Sequence, residues 1–168
     1  MKAYMTNGTY SFLKQLEQKY HHKQFLFMEN EANTLAYYEG EGKSIFASGR
    51  TYDILQGTGT CLKRGFVAMH HIPVTEEGQP VFEHQMQHRD NILVTTPGFQ
   101  AFRFLKPTKG HVYVILTQWS TKAAYESWKA TETYTKLYQN HHVKLPAYFA
   151  DRPFNALYHM VKEDDEKQ

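Results

Sequence analysis

The sequence predicts an α+β fold in which antiparallel sheets carry helices on one face. Three observations predict it. Val112–Leu116 (VYVIL) is β-branched, aromatic or aliphatic without a break, which suits a strand buried on both faces. Ser120 or Thr121 can then cap a helix reading from about Lys122 to about His141, because a hydroxyl satisfies an orphan amide of the first turn. Along that helix Ala124, Trp128, Thr131, Thr135, Tyr138 and His142 recur at helical spacing on roughly one side. Around this pair, the second part of the chain runs strand, helix, strand, strand, helix, strand, the split βαβ or ferredoxin-like order.

The first part, residues 1–60, reads as a small α/β unit. Lys2 to Thr6 is a strand, Asn7-Gly8 a turn, and Thr9 the cap of a helix striped by Phe12, Leu13, Leu16 and Tyr20. Gln24 to Asn30 and Thr34 to Glu39 are strands joined by a polar turn, and Ser44 to Ala47 is a third short strand. Arg50 to Gln56 suggests a helical turn or two, ended by Gly57-Thr58-Gly59. His21 and His22 stand at a helix end, where imidazolium complements the dipole.

The second part spans residues 61–162, and a solvated tail follows at 163–168. Gly65 to Val74 is a strand, and Thr75-Glu76-Glu77-Gly78 a turn or cap. Pro80 suits the first turn of a helix marked by Val81, Phe82, Gln85, Met86 and Arg89. Pro97-Gly98 breaks the chain and launches Phe99 to Leu105, Pro107 to Gly110 turns it back into Val112 to Trp119, and Phe154 to Val161 closes the order. The stretch Gln56 to Lys63 is too short for a free tether. The two units therefore share one β-barrel within a monomer, an internal pseudo-dimer; a homodimer is the alternative.

Composition narrows the function. A chain of 168 residues with 41% hydrophobic content can bury a real core, and 12 Tyr with 11 Phe suit a ligand pocket as well as an interior. The net charge of +2 and scattered basic residues argue against nucleic acid. The single cysteine, Cys61, excludes an internal disulfide, fits a reducing cytoplasm and reads as a small buried filler. The N-terminus has no signal-peptide core, and no apolar run is long enough to span a membrane.

Thr75-Glu76-Glu77-Gly78, Pro97-Gly98-Phe99, the run VYVILTQW and the Ala124/Trp128 spacing together resemble the antibiotic biosynthesis monooxygenase domain. With GTYSFLKQL at Gly8 to Leu16, the whole chain is similar to the two-part HmoB-type relatives of the IsdG-type heme-degrading monooxygenases, and to the related signal-transduction protein TRAP. The resemblance implies heme as both substrate and cofactor, opened by O2 with electrons from a reductase or small reductant. It places the macrocycle, bent out of plane, between sheet and helix. An Asn on the first strand, a Trp on the last helix and an iron-ligating His carry the work in that family. By motif their positions fall on His70, Trp128 and Tyr138, and only the Trp is kept in type. His70 can still donate to iron-bound oxygen or ligate iron itself, and a register one residue later would put His71 there. Tyr138 could bind ferric iron as phenolate, and His142 or His141 could replace the missing ligand. The alternatives are a non-catalytic heme-binding or heme-sensing module, or a TRAP-like signalling protein.

Overall fold

The computed structural model describes residues 1–87, 93–138 and 149–162. Eight strands and four helices follow one another among these residues: β1 (Lys2–Gly8), α1 (Tyr10–Lys19), β2 (Leu26–Glu29), β3 (Thr34–Gly40), β4 (Arg50–Gly59), β5 (Phe66–Pro73), α2 (Gln79–Met86), β6 (Phe99–Pro107), β7 (Val112–Trp119), α3 (Lys122–Lys129), α4 (Glu132–Tyr138) and β8 (Phe154–Met160). The strands close an antiparallel barrel in the order β1-β3-β2-β8-β5-β7-β6-β4. Both parts of the chain thus contribute four neighbouring strands to one barrel, with helices packed outside. No helix among the described residues is long and apolar enough to cross a membrane.

The period of two in each strand sorts its side chains between two cores. Met5, Leu35, Val67, Met69, Val114 and Leu116 fill the barrel. From the same strands Phe66, Ala68, Tyr113, Ile115 and Trp119 face outward, under α2, α3 and α4. β7 is therefore buried on both sides, as its unbroken apolar run requires. A third core, with Tyr4, Phe27, Tyr38 and Leu13, lies beneath α1.

Thr9 caps α1, and its side chain accepts from the Phe12 amide. Of the expected stripe Leu13 is buried and Leu16 partly so, whereas Phe12 is exposed. Pro80 opens α2, and Phe82 and Met86 hold it to the core. Arg89 lies outside the described residues.

Four expectations are corrected. Asn7-Gly8 is the end of β1, paired with Leu35 and Thr34. Ser44 to Ala47 forms no strand: the Tyr38 hydroxyl and the Ser44 side chain take the amides of Ile45 and Phe46, in place of a ladder. Arg50 to Gly59 is strand throughout, pairing with β1 and β6 and closing the barrel. Its glycines are not helix terminators. Gly59 has φ of +75°, and a Cβ there would stand 2.1 Å from the Gln100 carbonyl oxygen, so only glycine fits the approach of β6. The long helix is two helices, divided at Thr131. That hydroxyl donates to the Trp128 carbonyl at 2.6 Å and accepts from the Tyr134 amide at 3.4 Å, ending α3 and starting α4.

The connection after β4 is pinned as well. The Gln118 side chain, buried at the end of β7, accepts from the Leu62 amide and donates to the Leu62 carbonyl, both at 2.7 Å. Cys61 packs against the barrel core, and burial pushes its thiol up to about 12. Arg103 points into the same end of the barrel. Its Nε donates to Glu39 at 2.8 Å, and its terminal nitrogens donate to the Thr58, Gly59 and Phe102 carbonyls.

Candidate functional site

His70 is central to β5, with its side chain on the outer face beside Ala68 and Ile72. It is 3% exposed. β7 and β8 flank it, and the register sets Asn155 of β8 directly opposite. Asn155 Oδ1 lies 2.5 Å from His70 Nδ1. With that amide oxygen accepting, Nδ1 carries the hydrogen, and in the neutral ring the lone pair is on Nε2. His71 points to the other side of the sheet and stacks on Phe154, centroids 4.6 Å apart and planes at 3°. The two neighbouring histidines are thus separated by the sheet, and His70 is the one that faces the helices.

Helix α3 brings Trp128 over this face. Thr121 caps it by accepting from the Ala124 amide at 3.1 Å. Gly98, at φ of +83°, lets the preceding loop lie against the helix: a Cβ there would stand 2.5 Å from Ala124 Cβ. Trp128 stacks on Trp119 at 4.8 Å and meets Tyr134 edge-on at 5.0 Å, with Tyr125 and Tyr138 each at 6.2 Å. It is 1% exposed, and its indole Nε1 is buried without a hydrogen-bond partner among the described residues.

Helix α4 places Tyr134 and Tyr138 one turn apart on its inner side. The Tyr138 ring lies against His70, centroids 4.1 Å apart, and meets Tyr134 edge-on at 4.9 Å. Burial, reinforced by Tyr134 and Tyr125, raises Tyr138 well above the usual phenol range. Burial raises Tyr134 too, against a hydrogen bond with Asn155 that lowers it. His141 and His142 lie outside the described residues.

The structure brings His70, Trp128 and Tyr138, the three positions the resemblance singles out, to one place around Tyr138, with Tyr134 and Asn155 beside them. Asn155 stands beyond the reach of sequence reasoning, since its place opposite His70 depends on the pairing of strands far apart in the chain.

Among the described residues, aromatic side chains occupy the space between β5 and the helices beside His70. A macrocycle between sheet and helix would need the place held by the Tyr138 ring on His70, and Trp128 is walled in by four aromatic rings. The donor chemistry is more accommodating. An imidazole whose Nδ1–H is fixed by an amide oxygen is oriented as metal-ligating histidines are.

Residues 65–140 match the family described as antibiotic biosynthesis monooxygenase. A signal transduction protein TRAP of Staphylococcus epidermidis is 29% identical over 136 residues, covering 81% of this chain and 81% of that protein. A heme-degrading monooxygenase of Listeria monocytogenes is 27% identical over 128 residues, covering 76% of this chain and 77% of that protein. In three dimensions the chain is similar to a major regulator of staphylococcal pathogenesis, with a TM-score of 0.88 at 23% identity, covering 96% of this chain and all of the other. The chain is related at modest identity to proteins of two kinds, signal transduction proteins TRAP and a heme-degrading monooxygenase.

Proposed function

From a chain that carries, at residues 65–140, a domain of the antibiotic biosynthesis monooxygenase family, we propose a regulatory protein of the kind its TRAP relatives are named for, with the family's ligand space filled by its own side chains. The observation that carries this reading is the Tyr138 ring on His70 at 4.1 Å. The two positions that fall, by motif, on the Asn and His of the IsdG-type heme-degrading enzymes are His70 and Tyr138, which pack on each other. Trp128, the one position kept in type, is in the core with them.

A second reading has its own support. His70 is oriented by Asn155 as an iron ligand would be, and Trp128 lies on the helix above it. Together with the heme-degrading relative, this favours a heme-binding monooxygenase that opens the porphyrin ring with O2 and an external reductant. His70 and Trp128 are then the residues that would meet the heme, and Tyr138 has to leave first.

One titration separates the two. Hemin is added to the purified protein, the absorption spectrum recorded, and ascorbate then added in air. The regulatory reading expects no saturable Soret shift. A stoichiometric shift that bleaches under ascorbate establishes the enzyme, and Trp128→Phe then tests whether the indole is required. A shift that persists leaves a heme-binding module without turnover.

A further inference from the structure

β4 outruns its neighbour on one side. Lys2 of β1 pairs with Asp53, and the Ile54 amide donates to the Met1 carbonyl at 3.1 Å. Beyond that point β4 continues to Gly59 beside β6 alone. At this end of the barrel, between β3 and the segment that follows β4, lies a cleft of about 470 Å3. Leu26, Tyr37, Tyr38, Cys61 and Leu62 give it a largely apolar lining. The two tyrosine hydroxyls are engaged, one with Glu39 and the other with the Ile45 amide.

Arg103 and Glu39 also line the cleft, joined to each other. A guanidinium has five N–H groups, and Arg103 commits four of them, to Glu39 and to the Thr58, Gly59 and Phe102 carbonyls. Glu39 receives both Arg103 and the Tyr37 hydroxyl on one oxygen, Oε2. One N–H of the guanidinium and the second carboxylate oxygen, Oε1, are left without a partner among the described residues. A donor and an acceptor thus remain on the two halves of one ion pair.

We propose that this cleft binds a small, uncharged, ring-bearing molecule through a head that both accepts and donates, as a primary amide or a lactam edge does. The volume is within the range of small-molecule sites, and the mouth of a β-barrel is one of the places where they form. Arg103 and Glu39 cancel in charge, so an anionic head is set against Glu39 and a cationic head against Arg103, where partial burial strengthens both repulsions. Lys63, the other charged side chain in the lining, is exposed and screened by solvent. A neutral amide meets each partner with the complementary atom, its carbonyl oxygen toward the guanidinium and its N–H toward the carboxylate. None of the lining residues is among those around His70, so occupancy here is independent of heme.

The test is a titration of the whole protein with benzamide, followed by amide shifts in two-dimensional NMR, with benzoate and benzylamine as charged counterparts on the same ring. Benzamide should give saturable shifts at Tyr37, Glu39, Cys61 and Leu62, and each charged counterpart should bind about ten-fold more weakly. Leu62→Trp, which fills the cleft, should abolish the shifts, whereas Phe12→Ala, an exposed side chain outside the lining, leaves them unchanged. Glu39→Gln leaves the guanidinium unopposed, so the preference should move toward benzoate by about ten-fold. The absence of saturable shifts, or shifts that survive Leu62→Trp, overturns the site. Benzoate or benzylamine binding the parent protein as tightly as benzamide, or a preference unmoved by Glu39→Gln, overturns the part given to the ion pair.

Discussion

The phenol ring of Tyr138 covers the imidazole of His70, with centroids 4.1 Å apart and planes at 43°. One residue is on β5 and the other on the last turn of α4, so this contact closes the space between sheet and helix. Tyr138→Ala should cost about 3 kcal/mol, as a large aromatic lost from a packed core does. It should also open room beside His70, so that hemin gives a saturable Soret shift absent from the parent protein. Tyr138→His, which adds an imidazole ligand there, should shift the band further. Denaturant unfolding and the hemin titration together check this. A variant that loses stability and still ignores hemin would show that more than Tyr138 fills the space.

That pair shows how far the sequence carries. The spacing of Trp128 and Tyr138 and the place of His70 in a strand are local facts, and Tyr138 meets each of the other two. β7 was legible for the same reason: an apolar run buried on both faces has one solution. The break at Thr131 was not, because a threonine at helical spacing also reads as a helix residue until its hydroxyl is seen to take the Trp128 carbonyl. β4 was misread because glycines that admit a neighbouring strand look, in sequence, like glycines that end a helix. The Asn155 bond to His70 joins residues 85 apart and exists only once β5 and β8 are paired.

His71 gives a prediction in pH. Burial lowers its folded-state pKa below the ordinary 6.5, with Arg50 adding to the shift and backbone hydrogen bonds opposing it. The fold thus favours neutral imidazole. Its contribution to stability is present above pH 6.5 and is lost as the pH falls toward the lowered value, because the unfolded chain binds the proton more readily. Melting temperature should fall between pH 7 and 5. His71→Phe, which keeps an aromatic ring on Phe154, should flatten part of that slope. A slope unchanged in the variant would assign the acid sensitivity elsewhere.

Arg103 and Glu39 form a charged pair at the barrel end, with side chains 10% and 25% exposed. Glu39 also accepts the Tyr37 hydroxyl at 2.5 Å. Glu39→Gln keeps the shape and removes the charge, leaving a guanidinium pointed into the barrel with only carbonyl partners. It should cost about 1–3 kcal/mol in denaturant unfolding at pH 7. Arg103→Met should cost less than Arg103→Ala, because an apolar chain of similar length still fills the barrel end. Equal losses for Met and Ala would show that the charge, and not the filled volume, sets the cost.

Closure of the barrel bears on assembly. A sheet with two edges offers a second chain a ladder to extend, whereas here each strand has a neighbour on both sides within one chain. The thinnest seam is β2 with β8, where only Met28 with Met160 and Glu29 with His159 are in register. Even there the Val161 amide continues the contact by donating to Phe27 at 2.9 Å. With no strand edge to share, the protein should be monomeric, and light scattering during size exclusion should give a mass near 19.7 kDa. A mass of twice that value, insensitive to dilution, would mean that association uses an outer face of the barrel or its helices instead of a strand edge.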